Sequence, residues 1–186
     1  MNEPAKKPPM TRDSLLPLLA AHVLTHGLGQ ASLRPLARAA GTSDRMLLYH
    51  FGSKEALMAD LLGHIAQVYA AALDAAMGSA RAASRGEVVA RILAQGDAPA
   101  MQPFLALWWE IVAGAVRGIA SYRTAARAMM DELLGWLETQ MPADDPDPKG
   151  GARYLLTLIE GTLMLGAIDH GDTAHDGLLA SGLLRP

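Results

Sequence analysis

One short segment of the chain concentrates hydrogen-bonding and flat side chains. Residues 43–50 read S-D-R-M-L-L-Y-H and carry Asp44, Arg45, Tyr49 and His50 within about two helical turns. Arginine recognises the acceptors of guanine and a carboxylate accepts from cytosine, while hydroxyl groups hold phosphates. A helix with this surface is suited to reading base edges in a major groove. The alternative is a short amphipathic connector with exposed polar residues.

A second cluster offers a different chemistry near the end of the chain. Asp169, His170, Asp172, His175 and Asp176 are oxygen and nitrogen donors that could bind a divalent metal for hydrolysis. Their spacing matches no established ligand pattern, and an aspartate before a helix is an ordinary cap. A metal-dependent hydrolase is therefore the alternative reading, and the main expectation is a protein without metal, cofactor or catalytic activity.

The first segment sits between two predicted turns. Ser32 is expected to cap a helix that runs to about residue 40, and Gly41 can end it in a left-handed conformation. Ser43 is expected to cap the second helix, with Asp44 at its positive end. Ser53 would cap the third. Two helices joined by a short glycine-containing turn are typical of a helix-turn-helix.

Composition favours an all-helical protein. The chain has 186 residues, of which 51% are hydrophobic, and alanine and leucine dominate while strand-like alternation is absent. It has no cysteine, so no disulfide forms. The polar, proline-rich beginning does not resemble a signal peptide, and charges interrupt the apolar runs. We expect no membrane segment and a cytoplasmic location.

Charge is distributed unevenly along the chain. The first 60 residues hold seven Lys/Arg against five Asp/Glu, whereas the remainder holds nine against fourteen. A mildly basic beginning followed by an acidic body is the balance expected of a protein that grips DNA at one end.

Residues 11–61 resemble the DNA-binding domain of the TetR family of transcriptional regulators. A-R-A-A-G-T-S is similar to the family's A-x-x-A-G-V-S turn, and L-L-Y-H-F-G-S-K-E-A-L is similar to its L-Y-x-H-F-x-S-K-E-x-L motif. Leu48 departs from the pattern, because the family often has tyrosine there. Tyr49 is adjacent and carries the hydroxyl instead.

The resemblance implies a function and a domain order. It implies an all-α fold with an N-terminal three-helix helix-turn-helix domain joined to a larger helical domain for ligand binding and dimerisation. We expect a flexible arm at 1–10, the DNA-binding domain at 11–58 and the body at 59–186. The protein would bind a double-stranded, pseudo-palindromic operator as a homodimer, acting as a repressor. The implied DNA contacts are Ser32, Arg34, Ser43, Asp44, Arg45, Tyr49, His50 and Lys54.

The body contains an aromatic cluster that suits an effector pocket. Phe104, Trp108 and Trp109 stand beside Glu110, so that apolar walls would surround one polar anchor. Such a pocket favours a small, mostly hydrophobic effector. The alternatives are an aromatic core in which Glu110 pairs with an arginine, and a body that binds another protein. The remaining predicted contacts are Met101, Tyr122, Met129 and Met164.

Three further expectations concern helix boundaries. Asp13 or Ser14 would cap the first helix, with Pro17 in its first turn. A helix over residues 99–118 is apolar on almost every side and should be buried. Thr173 would cap the last helix, over residues 174–184.

Overall fold

The computed structural model describes residues 10–78, 80–96 and 98–184. Within these residues the chain is helical and contains no strand, as the composition predicted. A single 3-10 turn, Leu28–Gln30, separates the first two α-helices. The α-helices are α1 (Arg12–His26), α2 (Leu33–Ala39), α3 (Asp44–Phe51), α4 (Lys54–Met77), α5 (Arg85–Gly96), α6 (Gln102–Val116), α7 (Ala120–Gln140), α8 (Pro148–Gly166) and α9 (Gly171–Ala180).

The predicted cap of α1, Asp13 or Ser14, is wrong by two or three residues. Thr11 is the cap, and its side chain accepts from the backbone N–H of Ser14 while the Ser14 hydroxyl accepts from the Thr11 N–H. This reciprocal capping box satisfies two of the N–H groups that a helix end leaves free. Pro17 consequently lies beyond the first turn, inside the helix. The predicted arm, except for Met10, falls outside the described residues.

The predicted helix-turn-helix is present as α2 and α3. Ser43 caps α3 by accepting from the N–H of Met46, and Ser53 caps α4 by accepting from the N–H of Ala56. Gly41 and Gly52 take positive φ angles of 63° and 83° at the ends of α2 and α3. Ser32 holds the cap position of α2 but forms no side-chain capping bond. Short-range capping therefore fixes both ends of α3.

Helix α4 runs without a break from the helix-turn-helix into the body. Among the described helices it alone is long and apolar enough to cross a bilayer, whereas the sequence predicted no membrane segment. Core helices have the same composition, and α4 packs against α1, α3, α5 and α7. Its buried side chains supply much of the core on both sides.

Two hydrophobic clusters form the core of the described residues. The first joins α1, α2, α3 and the beginning of α4 to Leu107 and Ile111 of α6. The second joins the end of α4 to α5, α7, α8 and α9. Because the first cluster includes α6, the predicted DNA-binding domain packs directly onto the body.

The helices of the body depart from the predictions at their ends and on their surfaces. Only three residues of α6 are buried, and Val116 is 81% exposed, so the expected fully buried helix is wrong. Asp147 caps α8, so this helix begins within the acidic, proline-rich segment 141–151, here called the acidic loop. His170 occupies the cap position of α9, so Thr173 lies inside that helix and does not cap it.

Arg85 holds the acidic loop before α8 against α5. Its guanidinium donates two hydrogen bonds of 2.7 Å to the Asp145 carboxylate and a third to the carbonyl of Asp147. The bidentate pair raises the pKa of Arg85 and lowers the pKa of Asp145. Gly151 leaves room for this guanidinium, since a Cβ there would lie 2.8 Å from it and the arginine would have to shift.

Candidate DNA-binding surface and effector cavity

Helix α3 has one inward side that fixes its orientation. Leu47 and Phe51 are buried, at 0% and 1% exposure, and stand four residues apart on one side of the helix. They pack into the first cluster, against α1, α2 and α4. The remaining side chains of α3 are thereby directed outward or to the rim.

The outward side of α3 is unusually apolar and flat for a free surface. Tyr49 is 78% exposed, and Met46 and Leu48 are more than a third exposed. Arg45 is exposed beside them and forms no ion pair within the described residues. Exposed apolar side chains around a free cation are typical of a binding surface.

Four of the other predicted DNA contacts are also solvent-exposed. Ser32 and Arg34 lie at the beginning of α2, while Asp44 and Lys54 begin α3 and α4. Arg34 and Lys54 therefore add two exposed cations to Arg45, each at or near the positive N-terminal end of a helix. Ser43 is exposed as well, but its hydroxyl is already engaged as the cap of α3.

His50 differs from the other predicted contacts. Its Nε2 atom is buried and has no hydrogen-bond partner among the described residues, and its ring meets Tyr49 edge to face. The Nε2 atom therefore does not face solvent. Its carbonyl oxygen accepts from the Arg12 guanidinium.

Arg12 was not identified from the sequence and positions the end of α3. Its guanidinium pairs with Asp60 of α4 at 3.3 Å and lies 5.3 Å from the centre of the Phe51 ring. These contacts tie α1, α3 and α4 together at one point. A basic residue beside a cap gives no sequence signal of such a role.

A cavity of about 40 Å³ lies in the body between α4, α6, α7 and α8. Phe104, Trp108 and Met129 line it, as three of the eight predicted effector contacts. The lining residues that the sequence analysis did not identify include Tyr69, Glu132 and Glu160. Glu160 did carry a signal, because it is the one charged residue in the apolar stretch 154–168.

The polar groups of this cavity influence each other. The Trp108 indole Nε1 donates to a Glu160 carboxylate oxygen at 2.9 Å. Burial raises the pKa of Glu160, and the hydrogen bond from Trp108 opposes that rise. Burial, together with the nearby Glu160 charge, raises the pKa of Tyr69 to about 12. Tyr69 therefore stays neutral, and the acidic side chains that line the cavity are Glu132 and Glu160.

The remaining predicted effector contacts lie away from this cavity. Trp109 follows Trp108 by one residue and is rotated by about 100°, toward a groove beside α8 and α9. Met101 is buried beside a much smaller void. Tyr122 lines a neighbouring groove between α4 and α7, and Met164 is 45% exposed on α8.

Glu110 occupies a position that the predicted pocket did not anticipate. Its carboxylate accepts from the backbone N–H of Leu28 at 2.8 Å, in the turn between α1 and α2. Gly27 makes this approach possible, because a Cβ there would lie 2.6 Å from a carboxylate oxygen and its φ is 77°. Neither Arg117 nor Arg123 pairs with Glu110 within the described residues. Glu110 thus joins α6 to the helix-turn-helix.

Replacing Glu110 with alanine is expected to lower the free energy of unfolding by about 1 kcal/mol, since it removes the acceptor of a part-buried N–H. Urea denaturation monitored by circular dichroism measures the change. Asp131→Ala is the control, because Asp131 is exposed and forms no ion pair within the described chain. Equal losses in the two variants would contradict the contact.

The donors between residues 169 and 176 do not assemble into a site. All five side chains are exposed, at the end of α8 and along α9. No group of three His, Asp or Glu side chains in the described part of the chain is arranged to hold a metal ion. The geometry therefore gives no support to the hydrolase alternative.

Comparisons with known proteins agree with this architecture. The family model for bacterial regulatory proteins of the tetR family matches residues 19–61. The HTH-type transcriptional regulator BetI of Ectopseudomonas mendocina (strain ymp) is 29% identical over 171 residues, which cover 86% of this chain and 83% of BetI.

Solved structures share the fold over most of their length. A protein of Rhodococcus sp. assigned to the TetR family of transcriptional regulators superposes with a TM-score of 0.68 at 21% identity, covering 91% of this chain and 95% of its own. The multidrug binding protein EbrR, solved with proflavin, gives a TM-score of 0.67 at 20% identity, covering 93% of this chain and 99% of its own.

Proposed function

Since the chain belongs to the TetR family of transcriptional regulators, we propose that it is a ligand-responsive repressor. It binds a pseudo-palindromic operator as a homodimer in the cytoplasm and is released by a small, mostly hydrophobic effector. The observation that carries this proposal is the outward surface of α3, where Arg45 and Tyr49 are exposed while Leu47 and Phe51 anchor the helix from behind.

Each helix-turn-helix places α3 in a major groove in this proposal. Arg34 and Arg45 are the candidates for reading guanine, because a guanidinium matches its two acceptors. Ser32, Tyr49 and Lys54 hold phosphates. Lys54 begins α4, where the helix dipole attracts the same phosphate.

Dimerisation is proposed for the exposed side of α8. Tyr154 is 43% exposed, Met164 is 45% exposed, and Ile168, just beyond the helix, is 58% exposed. Such large apolar groups favour burial against a second copy, and the small residues Gly161 and Gly166 permit close approach. A two-fold axis between copies then implies two operator half-sites related by the same symmetry.

The effector is proposed to act through α6. Trp108 borders the cavity and Glu110, two residues further along, accepts from the turn before α2. An effector that displaces Trp108 would therefore disturb the seating of the helix-turn-helix. The effector shifts the equilibrium between the two positions of the helix-turn-helix only to the extent that its affinities for them differ.

Fluorescence anisotropy tests the proposal with DNA taken from immediately upstream of the protein's own coding region, at two salt concentrations. Specific binding by two protomers per site, weakened by salt, supports it. If neither this fragment nor selection from a random DNA library yields a preferred sequence, the proposed function is overturned.

Lys54→Ala is expected to weaken binding about equally on operator and random DNA, and to reduce the slope of log affinity against log salt by about 1. The reason is the loss of one phosphate contact. Lys149→Ala is the matched control, since Lys149 lies on α8 in the body. An unchanged slope for Lys54→Ala would remove this residue from the phosphate contacts.

A further inference from the structure

The cavity in the body holds a carboxylate without a cationic partner. Glu160 is half-buried on α8, and within the described chain its one hydrogen bond comes from Trp108 and it forms no ion pair. An ionised carboxylate offers about four acceptor positions, of which the indole occupies one. Buried charges in proteins are ordinarily paired, because leaving them unpaired costs free energy.

The surroundings of Glu160 supply no positive charge. Among the described residues that line the cavity there is no lysine, arginine or histidine. The groove between α4 and α7, which adjoins the cavity, is likewise lined without a basic residue. The charge that would balance Glu160 is therefore absent from the protein's own side chains at this site.

Three aromatic rings share the cavity with this carboxylate. Tyr69 and Phe104 are in contact, with ring centres 5.4 Å apart and planes tilted by 40°, and Trp108 completes the set. Aromatic faces attract cations, most strongly where water is excluded, and they also stack on flat apolar ligands. The rings and the carboxylate thus favour the same kind of molecule.

We propose that the effector is an organic cation with a flat, apolar body, whose positive charge is held by Glu160 and whose rings lie against Tyr69, Phe104 and Trp108. This inference rests on the proposed function, because it specifies the ligand of the effector cavity. It narrows the hydrophobic effector of that proposal to a charged class. Neutral molecules of the same shape bind more weakly, since they leave the half-buried carboxylate without a cationic partner.

The ligand reaches the cavity through the adjoining groove. The cavity of about 40 Å³ is too small for such a molecule, whereas drug-sized sites measure about 300–1,000 Å³. The groove has a volume of about 380 Å³ and shares Ala66, Met129 and Glu132 with the cavity. Met129 lines both spaces, so rotation of this flexible side chain is the movement we expect to join them, and Glu132, which also lines both, would attract the incoming cation.

Isothermal titration calorimetry of the full-length protein, without DNA, tests this with two probes of nearly equal shape. 9-Aminoacridine is a cation at neutral pH and acridine is neutral. We expect wild type to bind 9-aminoacridine about 10- to 100-fold more tightly than acridine. Glu160→Gln should remove that preference while leaving acridine affinity within about twofold, because the amide oxygen still accepts from Trp108.

Controls separate the charge from the fold. Glu138→Gln changes a carboxylate of α7 that lines neither space, and it should preserve the preference for the cation. The thermal midpoint of Glu160→Gln should equal or exceed that of wild type, since the substitution removes a half-buried charge that has no cationic partner. Retained acridine binding shows that the cavity of the variant is intact.

Three results would overturn the inference: equal affinities of wild type for the two probes, no binding of 9-aminoacridine, or an unchanged preference in Glu160→Gln. DNA binding is measured separately by anisotropy, without these intercalating dyes. Specific DNA binding in a protein that fails the calorimetric test refutes only the cationic effector. Failure to bind any DNA refutes the proposed function instead.

Discussion

Phe51→Ala is expected to lower the free energy of unfolding by about 3–5 kcal/mol. The ring is 1% exposed at the end of α3 and belongs to the cluster that joins α1, α2, α3, α4 and α6. Truncation leaves a cavity where these helices meet and removes the surface over which the Arg12 guanidinium lies. Urea denaturation monitored by circular dichroism gives the difference directly.

Tyr49→Ala is the matched control for this loss, because Tyr49 lies on the same helix but is 78% exposed. Its unfolding free energy should change by no more than about 0.5 kcal/mol. In a DNA-binding assay at low temperature, Tyr49→Ala should lose affinity for DNA although it remains folded. Similar unfolding free energies would mean that α3 is not anchored through Phe51.

Arg45→Ala is expected to weaken operator binding by about 1–3 kcal/mol and to relax the preference at one base pair of each half-site. The side chain is exposed and unpaired within the described residues, so the fold should not change. Anisotropy with the operator, with operators altered at single base pairs, and with random DNA separates affinity from specificity.

Arg127→Ala serves as the control for charge, since Arg127 is exposed on α7 in the body. It should leave operator affinity unchanged. If Arg45→Ala weakens operator and random DNA by the same factor, Arg45 contacts a phosphate and another residue reads the base.

Sequence reasoning succeeded where the structure depends on near neighbours. Ser43 and Ser53 cap α3 and α4 as predicted, because a capping bond involves residues three apart and its chemistry is visible in the sequence. The beginning of α1 was harder, since T-R-D-S offers three possible caps in four residues. The reciprocal bond between Thr11 and Ser14 decides it.

The effector cavity could be predicted only in part, because its walls come from four helices that are distant in the chain. The run W-W-E suggested that Glu110 accompanies the tryptophans. Two residues rotate a helix by about 200°, so Glu110 faces the turn before α2 while Trp108 faces α8. The carboxylate that does meet Trp108 is Glu160, 52 residues away. Only helix packing determines that pairing.

The first four helices share a hydrophobic cluster with α6, and this limits the construction of chimaeras with other regulators. Leu107 and Ile111, at 2% and 0% exposure, belong to the body in sequence but to the helix-turn-helix in packing. A chimaera that transfers residues 11–58 to another regulator would expose the apolar surface these two side chains cover, unless the recipient's equivalent helix matches it in shape. To change the DNA specificity of this protein, substitutions on the outward side of α3 are therefore preferable to the transfer of a whole domain.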